Sequence, residues 1–228
     1  MASIVEIRGL TRHYHQGDFV VKALQGVDLD IEPGEFVALM GPSGSGKSTL
    51  LNLIGGLDEP TGGSVVVDGQ DLASMSEAQR SDMRRNRLGF IFQAYNLIPV
   101  LSAAENTEFV LELRGVPTSE RRQKAHHVLE QVGLKGMEDR RPHQLSGGQQ
   151  QRVAVARAIA GDPAIVLADE PTANLDSHTG EELIELMRRL NEDEGVTFIF
   201  ATHDPKVMHA AKRVLKLVDG QIVEDIRK

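Results

Sequence analysis

A glycine-rich loop between a buried strand and an apolar helix most constrains how this chain can fold. The apolar run EFVALM leads into GPSGSGKST at residues 41–49, and LLNLI follows the loop. The loop fits the pattern G-x-x-x-x-G-K-S/T, in which glycines let the backbone curl so that N–H groups point at phosphate oxygens. The dipole of the following helix favours an anion at the same point. The segment therefore predicts a phosphate site formed by Gly41, Pro42, Ser43, Gly44, Ser45, Gly46, Lys47, Ser48 and Thr49.

Two residues of this loop have separate chemical roles. We expect the Lys47 ammonium to reach the β- and γ-phosphates of a nucleotide, and the Ser48 hydroxyl to contact Mg²⁺. A glycine-rich turn with a solvated lysine is the alternative. The buried strand before the loop and the apolar helix after it favour the phosphate site.

Two acidic residues follow another buried strand. The run IVLAD ends at Asp169, and Glu170 comes next. Ligands gather at the carboxyl ends of strands in parallel sheets, so both carboxylates are expected near the phosphate loop. Asp169 is predicted to hold Mg²⁺, through water, and Glu170 to polarise an attacking water as general base. Two solvated acids at a strand end are the alternative.

Buried strand patterns alternate with helical patterns along most of the chain, which predicts an α/β fold with a mainly parallel sheet. From about residue 94 to residue 160 strand patterns vanish and helical ones dominate. We expect one domain over residues 1–228. Its nucleotide-binding core comprises residues 1–93 and 161–228, and a helical subdomain comprises residues 94–160.

Composition limits the cellular setting. The formal net charge is −8, which argues against nucleic acid as a partner, and the chain has no cysteine for disulfides. The start MASIVEIRGL lacks the apolar core of a signal peptide, and no apolar run is long enough to span a membrane. The sequence predicts a cytoplasmic protein that can still dock on a membrane.

A second glycine-rich helix start follows in QLSGGQQQRVAVARA. Ser146, Gly147 and Gly148 open a predicted helix whose free N–H groups and dipole face outward, as in an anion site. An ordinary helix with Ser146 as its N-cap is the alternative, and the residues alone leave both open.

The motifs together resemble those of ATP-binding-cassette (ABC) ATPases, and the resemblance covers essentially the whole chain. LSGGQ is identical to the signature motif of that family, while GPSGSGKST and IVLADEP match its Walker A and Walker B motifs. The resemblance implies the ABC ATPase fold, a P-loop NTPase core with N-terminal antiparallel strands and an inserted helical subdomain. The other matching residues are the Q-loop Gln93, the D-loop Asn174, Leu175 and Asp176, the switch His203, and the adenine-stacking aromatic Tyr14.

The resemblance also implies how these residues work. Members of the family sandwich two ATP molecules in a head-to-tail homodimer, so ATP and Mg²⁺ are the expected ligands. Gln93 is expected to touch Mg²⁺ and the attacking water, His203 to bind the γ-phosphate, and Asp176 to cross to the partner's site. Tyr14 is expected to stack on adenine, with simple packing as its alternative. The signature residues expected to bind the partner's ATP are Leu145, Ser146, Gly147, Gly148 and Gln149.

The segments LNLIGGLDEPTGGSV and NLIP resemble the lipoprotein-release and macrolide-exporter subfamily. This subfamily powers a separate membrane permease. We therefore expect an ATPase subunit that docks its permease near residues 94–106 on the inner face of the membrane. This chain has ENT where the subfamily commonly has ENV, in the region that faces the permease.

The sequence excludes some other functions within the family but leaves one of them open. The alternative is an ABC ATPase of a non-transport signalling complex, such as a cell-division regulator, which carries the same motifs. DNA-repair members contain a long coiled coil, but only about fifty residues separate Gln93 from Leu145. Ribosome-acting members carry two cassettes, and P-loop kinases lack the signature motif.

Overall fold

The computed structural model describes residues 2–17 and 19–228. Helices and strands alternate over much of these residues, as the sequence predicts for an α/β protein, but three strands come first and three successive helices lie within residues 103–159. In chain order they are β1 (Val5–Gln16), β2 (Phe19–Ile31), β3 (Phe36–Met40), α1 (Lys47–Ile54), β4 (Gly62–Val67), β5 (Gln70–Asp71), α2 (Glu77–Arg87), β6 (Leu88–Phe92), α3 (Ala103–Leu113), α4 (Thr118–Gln131), α5 (Gly147–Ile159), β7 (Ile165–Asp169), α6 (Ser177–Glu194), β8 (Thr197–Ala201), α7 (Pro205–Ala210), β9 (Arg213–Val218) and β10 (Gln221–Arg227).

The strands form two sheets. The N-terminal sheet is antiparallel in the order β2-β1-β4-β5, and the larger sheet has the order β10-β9-β3-β8-β7-β6. In the larger sheet only the β9–β10 pair is antiparallel among the described pairings. The carboxyl ends of β3, β6, β7 and β8 therefore lie at one edge, where ligands of such sheets bind. The predicted fold class is confirmed.

The parallel sheet separates two hydrophobic cores. Successive side chains of a strand point to opposite faces, so Phe36 and Ala38 of β3 pack in one core and Val37 and Leu39 pack in the other. The first core is covered by residues of α5 and α6, and the second by α1 and the antiparallel sheet. With apolar layers on both faces, the loops at the sheet edge are held on a rigid support.

Between β6 and β7 the chain forms helices and connecting turns. Helix α4 begins behind Pro117 and ends before Gly133, which has φ 77°. The predicted boundaries of the helical subdomain, residues 94–160, stay a prediction. In the described part of the chain, no helix combines the length and the apolar character that crossing a bilayer requires.

Candidate active site

A cavity of about 700 Å³ opens at the carboxyl edge of the parallel sheet. The phosphate loop after β3, the residue after β6, the residue after β7 and the segment after β8 all contribute to it. The structure thus brings together predicted site residues that lie far apart in sequence. Its lining includes Tyr14, Gly41, Pro42, Ser43, Gly44, Ser45, Gly46, Lys47, Ser48, Thr49, Gln93, Glu170 and His203.

Two glycines of the loop are required by close packing as well as by backbone conformation. Gly46 has φ 103°, and a Cβ there would lie 2.5 Å from the carbonyl oxygen of Ala23. A Cβ on Gly41, at φ 153°, would overlap the carbonyl oxygen of Leu217. Because both obstacles are backbone atoms that cannot rotate away, the loop accepts only glycine at these two positions.

The Lys47 side chain is held at the centre of the loop. It is buried, with 8% of its surface exposed, and its Nζ donates to the carbonyl oxygens of Gly41 (2.8 Å) and Pro42 (3.1 Å). No carboxylate pairs with it among the described ion pairs. A buried ammonium without an acidic partner is suited to bind an anion, and phosphate oxygens can replace the carbonyl oxygens.

Ser48 and Asp169 provide oxygen atoms suited to a hard cation. The Ser48 hydroxyl donates to Asp169 Oδ1 at 3.1 Å. The pKa of Asp169 is raised overall, mainly because the side chain is buried. The Glu170 charge adds to the rise, whereas the Ser48 hydrogen bond and the Lys47 charge oppose it. Among the described residues no cluster of three or more His, Cys, Asp or Glu forms a metal cage. The Ser48 hydroxyl and the Asp169 carboxylate fit Mg²⁺, which takes one or two carboxylates together with phosphate oxygens and water.

Glu170 and His203 form a hydrogen-bonded pair beside the phosphate loop. His203 Nδ1 lies 2.7 Å from Glu170 Oε1, and the Thr202 hydroxyl donates to Glu170 Oε2 at 3.3 Å. Glu170 adopts a left-handed backbone with φ 46°, an uncommon conformation for a residue with a Cβ. Its N–H donates to the carbonyl oxygen of Ala201 at 2.8 Å, which anchors this conformation to β8. The carboxylate is therefore oriented by fixed contacts and lines the cavity.

The predicted D-loop contacts the predicted Q-loop. Asn174 Nδ2 donates to the carbonyl oxygen of Gln93 at 2.9 Å. Leu175 packs partly buried against the core. Asp176 is the N-cap of α6 and accepts from the Thr179 hydroxyl at 2.6 Å and from the Thr179 N–H at 3.1 Å. These bonds lower the pKa of Asp176. Within one chain the Asp176 carboxylate is thus occupied as a helix cap.

Comparison with known proteins identifies the family. The model described as ABC transporter matches residues 24–173. The chain belongs to the ABC transporter family.

ABC proteins from bacteria resemble it closely. A lipoprotein-releasing system ATP-binding protein LolD from Anaeromyxobacter dehalogenans is 49% identical over 97% of this chain and 93% of its own length. A macrolide export ATP-binding/permease protein MacB from Aggregatibacter actinomycetemcomitans is 47% identical over 99% of this chain but only 35% of its own length. The chain therefore spans about a third of the MacB relatives that it matches.

Solved ABC structures have the same fold. Two structures of the cassette MJ0796 match this chain with a TM-score of 0.90, at 44% and 43% identity over 98% of both chains. Both are described as dimeric, and one as a post-hydrolysis state bound to ADP and Pi. The predicted ABC ATPase fold and the resemblance to the LolD/MacB-like group are confirmed, and the chain is an ABC-type ATPase.

The ABC signature motif lies outside the phosphate-loop cavity. None of the described residues that line this cavity belongs to residues 145–149. Leu145 is buried, and Ser146 caps α5 by accepting from the Gln149 N–H at 3.3 Å, while Gln149 Oε1 accepts from the Ser146 N–H at 2.9 Å. The cap leaves the N–H groups of Gly147 and Gly148 without intrahelical partners. The capped helix and the anion site are thus compatible descriptions of one motif.

Gly148 has a structural requirement of its own. A Cβ at this position would overlap Thr179 Cγ2 of the same chain. Substituting Gly148 therefore disturbs the contact between α5 and α6, in addition to any effect on a ligand. A substitution at Gly148 is therefore unsuited to testing the signature motif.

Two residues beside Tyr14 were missed by sequence reasoning. The Tyr14 hydroxyl donates to Asp58 Oδ2 at 2.7 Å, and the Arg12 guanidinium lies 4.5 Å from the ring centroid. Arg12 also pairs with Asp58 Oδ1 at 2.6 Å. The ring is therefore fixed, with Arg12 over it. The period of two along β1 could have placed Arg12 beside Tyr14, but no local pattern indicates Asp58.

A second cavity, of about 420 Å³, lies between α2, β6, α3 and α5. We call it the docking groove. None of the described residues that line it is acidic, although the chain as a whole carries a net charge of −8. Of the predicted docking segment, residues 94–106, only Asn96 lines the groove. The residues that define its character are Leu57, Phe90, Phe109 and Leu113, which are apolar, and the basic Arg84, Arg85, Arg114 and Arg157.

Proposed function

We propose that two copies of the chain close head to tail around two ATP molecules and drive a separate membrane permease. The observation that carries this proposal is the separation of the signature motif from the phosphate-loop cavity. One chain presents an anion-binding loop and, elsewhere on its surface, a helix start with free N–H groups. A second copy can supply the signature residues that the cavity lacks. The dimeric description of the MJ0796 structures supports the same arrangement.

The residues of the site then have defined roles. Lys47 and the loop N–H groups bind the phosphates, and the Glu170 carboxylate, which lines the cavity, accepts a proton from the attacking water. His203 keeps Glu170 oriented through its bond to Oε1 and reaches the γ-phosphate. Asp176 of one chain approaches the site of the other. Tyr14 stacks on the adenine.

Magnesium belongs to the same proposal. Ser48, Asp169 and Gln93 are the residues that hold Mg²⁺, which neutralises charge on the phosphates when it is bound. The Ser48–Asp169 contact of 3.1 Å already places a hydroxyl and a carboxylate oxygen side by side. Asp169 has no cationic partner among the described ion pairs, so its charge is available for a cation.

The docking groove is the proposed permease contact. The groove has apolar walls, and two of its four arginines, Arg114 and Arg157, have no acidic partner among the described ion pairs. These features match a cytoplasmic helix of the permease that carries apolar side chains and at least one carboxylate. The LolD and MacB relatives favour a permease of the lipoprotein-release or export type over a signalling complex. The protein is then peripheral, on the inner face of the membrane.

A mixing experiment tests the shared site. Lys47→Ala damages the phosphate loop, and Ser146→Asp places a carboxylate at the signature while keeping a good N-cap. Dimers of either variant have two damaged sites, whereas a mixed dimer has one intact site. We expect ATP-dependent dimer formation, measured by size-exclusion chromatography, to rise on mixing. Ser146→Asn, a neutral cap of the same shape, is the control and should be impaired less than Ser146→Asp. Cross-linked mixed dimers that gain no ATP dependence contradict the proposal.

Charge reversal tests the groove. Arg85 is 39% exposed in the groove and Arg227 is 59% exposed outside it. We expect Arg85→Glu to reduce co-purification of the membrane permease and Arg227→Glu to leave it unchanged. Equal recovery with both variants refutes the groove as the permease contact.

A further inference from the structure

Two consecutive residues after Gln93 adopt an unfavourable backbone. Tyr95 has φ 59° and Asn96 has φ 50°. Residues with a Cβ rarely enter this left-handed region, and a tyrosine does so less readily than an asparagine. The segment therefore needs contacts from elsewhere in the fold to hold it in place.

The Arg157 guanidinium supplies such contacts. Its Nη1 donates to the carbonyl oxygen of Asn96 at 2.5 Å and its Nη2 to the carbonyl oxygen of Tyr95 at 2.9 Å. These carbonyls lie on either side of the Asn96 Cα. Two successive carbonyl groups point in the same direction when the residue between them is helical, whether right-handed or left-handed. They point in opposite directions when that residue is extended. The planar guanidinium can therefore bind both carbonyl oxygens only while Asn96 is in a helical, not an extended, conformation.

The arrangement is not an ordinary helix end. Arg157 lies in the last turn of α5, where basic residues usually face the carbonyls of their own helix. Its fork is instead directed at another segment. Among the described ion pairs none includes Arg157, and burial lowers its pKa. A desolvated cation that binds only carbonyl oxygens makes these two bonds strong.

The carbonyl oxygens of Phe92 and Gln93, which precede this turn, also accept hydrogen bonds from side chains. Gln151, also on α5, donates from Nε2 to the carbonyl oxygen of Phe92 at 3.4 Å and to that of Pro171 at 2.7 Å. Asn174 donates to the carbonyl oxygen of Gln93 at 2.9 Å. The Gln93 side chain lies in the phosphate-loop cavity, two residues before Tyr95. Because only Ala94 separates Gln93 from Tyr95, a change in the conformation of this turn strains the bond that holds the Gln93 carbonyl oxygen.

We propose that Arg157 is a positioning residue for ATP hydrolysis, because its fork binds the carbonyl oxygens of Tyr95 and Asn96 and so holds in place the strained turn that follows Gln93. The inference rests on the proposed role of Gln93. It adds a residue that lies outside the phosphate-loop cavity and acts only through the backbone.

The first test removes the fork. Arg157→Met keeps the length of the side chain without its donors. We expect kcat for ATP to fall roughly tenfold to a hundredfold, because small misplacements of a catalytic group have effects of this size. The affinity for a fluorescent ADP analogue should stay within about twofold, since the phosphate loop is untouched. An unchanged kcat overturns the inference.

The second test restores the conformation without the fork. Asn96→Gly removes the steric penalty of positive φ. Added to Arg157→Met, it should recover at least a third of the lost kcat. Arg114→Met is the matched control, because Arg114 also binds carbonyl oxygens in the docking groove, those of Arg85 and Gly161. Any loss that it causes should not be recovered by Asn96→Gly. Equal recovery in both backgrounds, or none in either, overturns the inference.

Further variants separate this inference from the role of Gln93. If Arg157 acts through Gln93, adding Arg157→Met to Gln93→Ala should lower kcat little further. If the losses of kcat caused by the two substitutions instead multiply, the two residues act independently, which contradicts the coupling. If Gln93→Ala alone leaves kcat unchanged, the proposed role of Gln93 fails, and this inference fails with it. Should Arg157→Met not fold, Asn96→Val leaves the arginine in place and penalises the left-handed φ with a β-branched residue. It should cause a similar loss, and a normal kcat refutes the inference.

Discussion

The substitution Asp169→Asn should make the nucleotide-free protein more stable than wild type and the nucleotide-bound protein less stable than wild type. Burial raises the pKa of Asp169, so folding disfavours its charged form. Its only described hydrogen-bond donor is Ser48, at 3.1 Å. Asp169→Asn removes the charge and keeps the shape. Relief of this kind is worth about 0.5–2 kcal/mol. In a chain of this size, that corresponds to a rise in Tm of roughly 1–8 °C.

The pH dependence of this gain has a definite sign. A carboxyl whose pKa is raised by folding destabilises the protein at pH values above that pKa, and the penalty disappears as the pH falls through it. The gain from Asp169→Asn should therefore be full at neutral pH and shrink in acid. Asp225, whose pKa is lowered mainly by Arg213, has the opposite dependence. Wild type and the Asp169→Asn variant both contain Asp225, so its pH dependence cancels in the difference between their Tm values.

Nucleotide should reverse the order. A ligand at one hundred times its Kd stabilises the folded state by about 2.7 kcal/mol. In wild type that is about 5–11 °C in the presence of Mg²⁺ and ADP. The variant should lose most of this shift because Asp169 is a proposed magnesium ligand, and EDTA should reduce the wild-type shift to that of the variant. Differential scanning fluorimetry at several pH values measures all three quantities. A well-folded variant that is less stable than wild type without nucleotide, or that keeps the full magnesium-dependent shift, refutes the reasoning.

Three further predictions concern single side chains. Glu170→Gln should retain nucleotide binding and lower the single-turnover rate about 10²–10⁴-fold, and a rate near that of wild type excludes Glu170 as the base. Tyr14→Phe, which loses only the bond to Asp58, should raise the KM for ATP at most about threefold, whereas Tyr14→Ala should raise it about 5- to 150-fold, because base stacking is worth about 1–3 kcal/mol. Arg213→Met should lower the free energy of unfolding by about 1–3 kcal/mol in urea, because the buried guanidinium pairs with Glu35, which is 18% exposed, and with Asp225, which is 42% exposed and solvated; a change below about 0.5 kcal/mol contradicts this.

Features whose chemistry is local could be predicted from sequence. The phosphate loop and the Asp169–Glu170 pair each combine a buried strand with a few polar residues, so periodicity and motif spacing were sufficient to place them. The change from strand to helix patterns near residue 94 likewise reflects local side-chain spacing. Parallel strands then bring these segments to one edge, as a general property of such sheets.

Contacts between distant segments could not be predicted in this way. Asp58 meets Tyr14 across 44 positions of the chain, and Arg157 meets Asn96 across 61. Neither pair lies within one strand or helix, so no periodicity links its members. The left-handed φ of Glu170 is equally invisible, because glutamate has no preference for that conformation. The same limit applies to Gly148, whose need for glycine arises from Thr179 on another helix.

Helix α5 connects the two inferences about ATP hydrolysis. Its first turn carries the signature residues proposed to meet the partner's ATP, and its last turn carries Arg157. Thirteen residues of α-helix span about 20 Å, and a buried helix of this length moves as a rigid body. A movement of the signature end toward or away from the partner therefore also moves the fork that holds Asn96. Arg157 and Asn96 both line the docking groove, so an acidic helix seated there competes with the same carbonyl oxygens for the guanidinium. Under these proposals, the partner's ATP and the permease both act on Gln93 through Arg157, and Arg157→Met should uncouple ATP hydrolysis from the permease beyond its effect on the isolated chain.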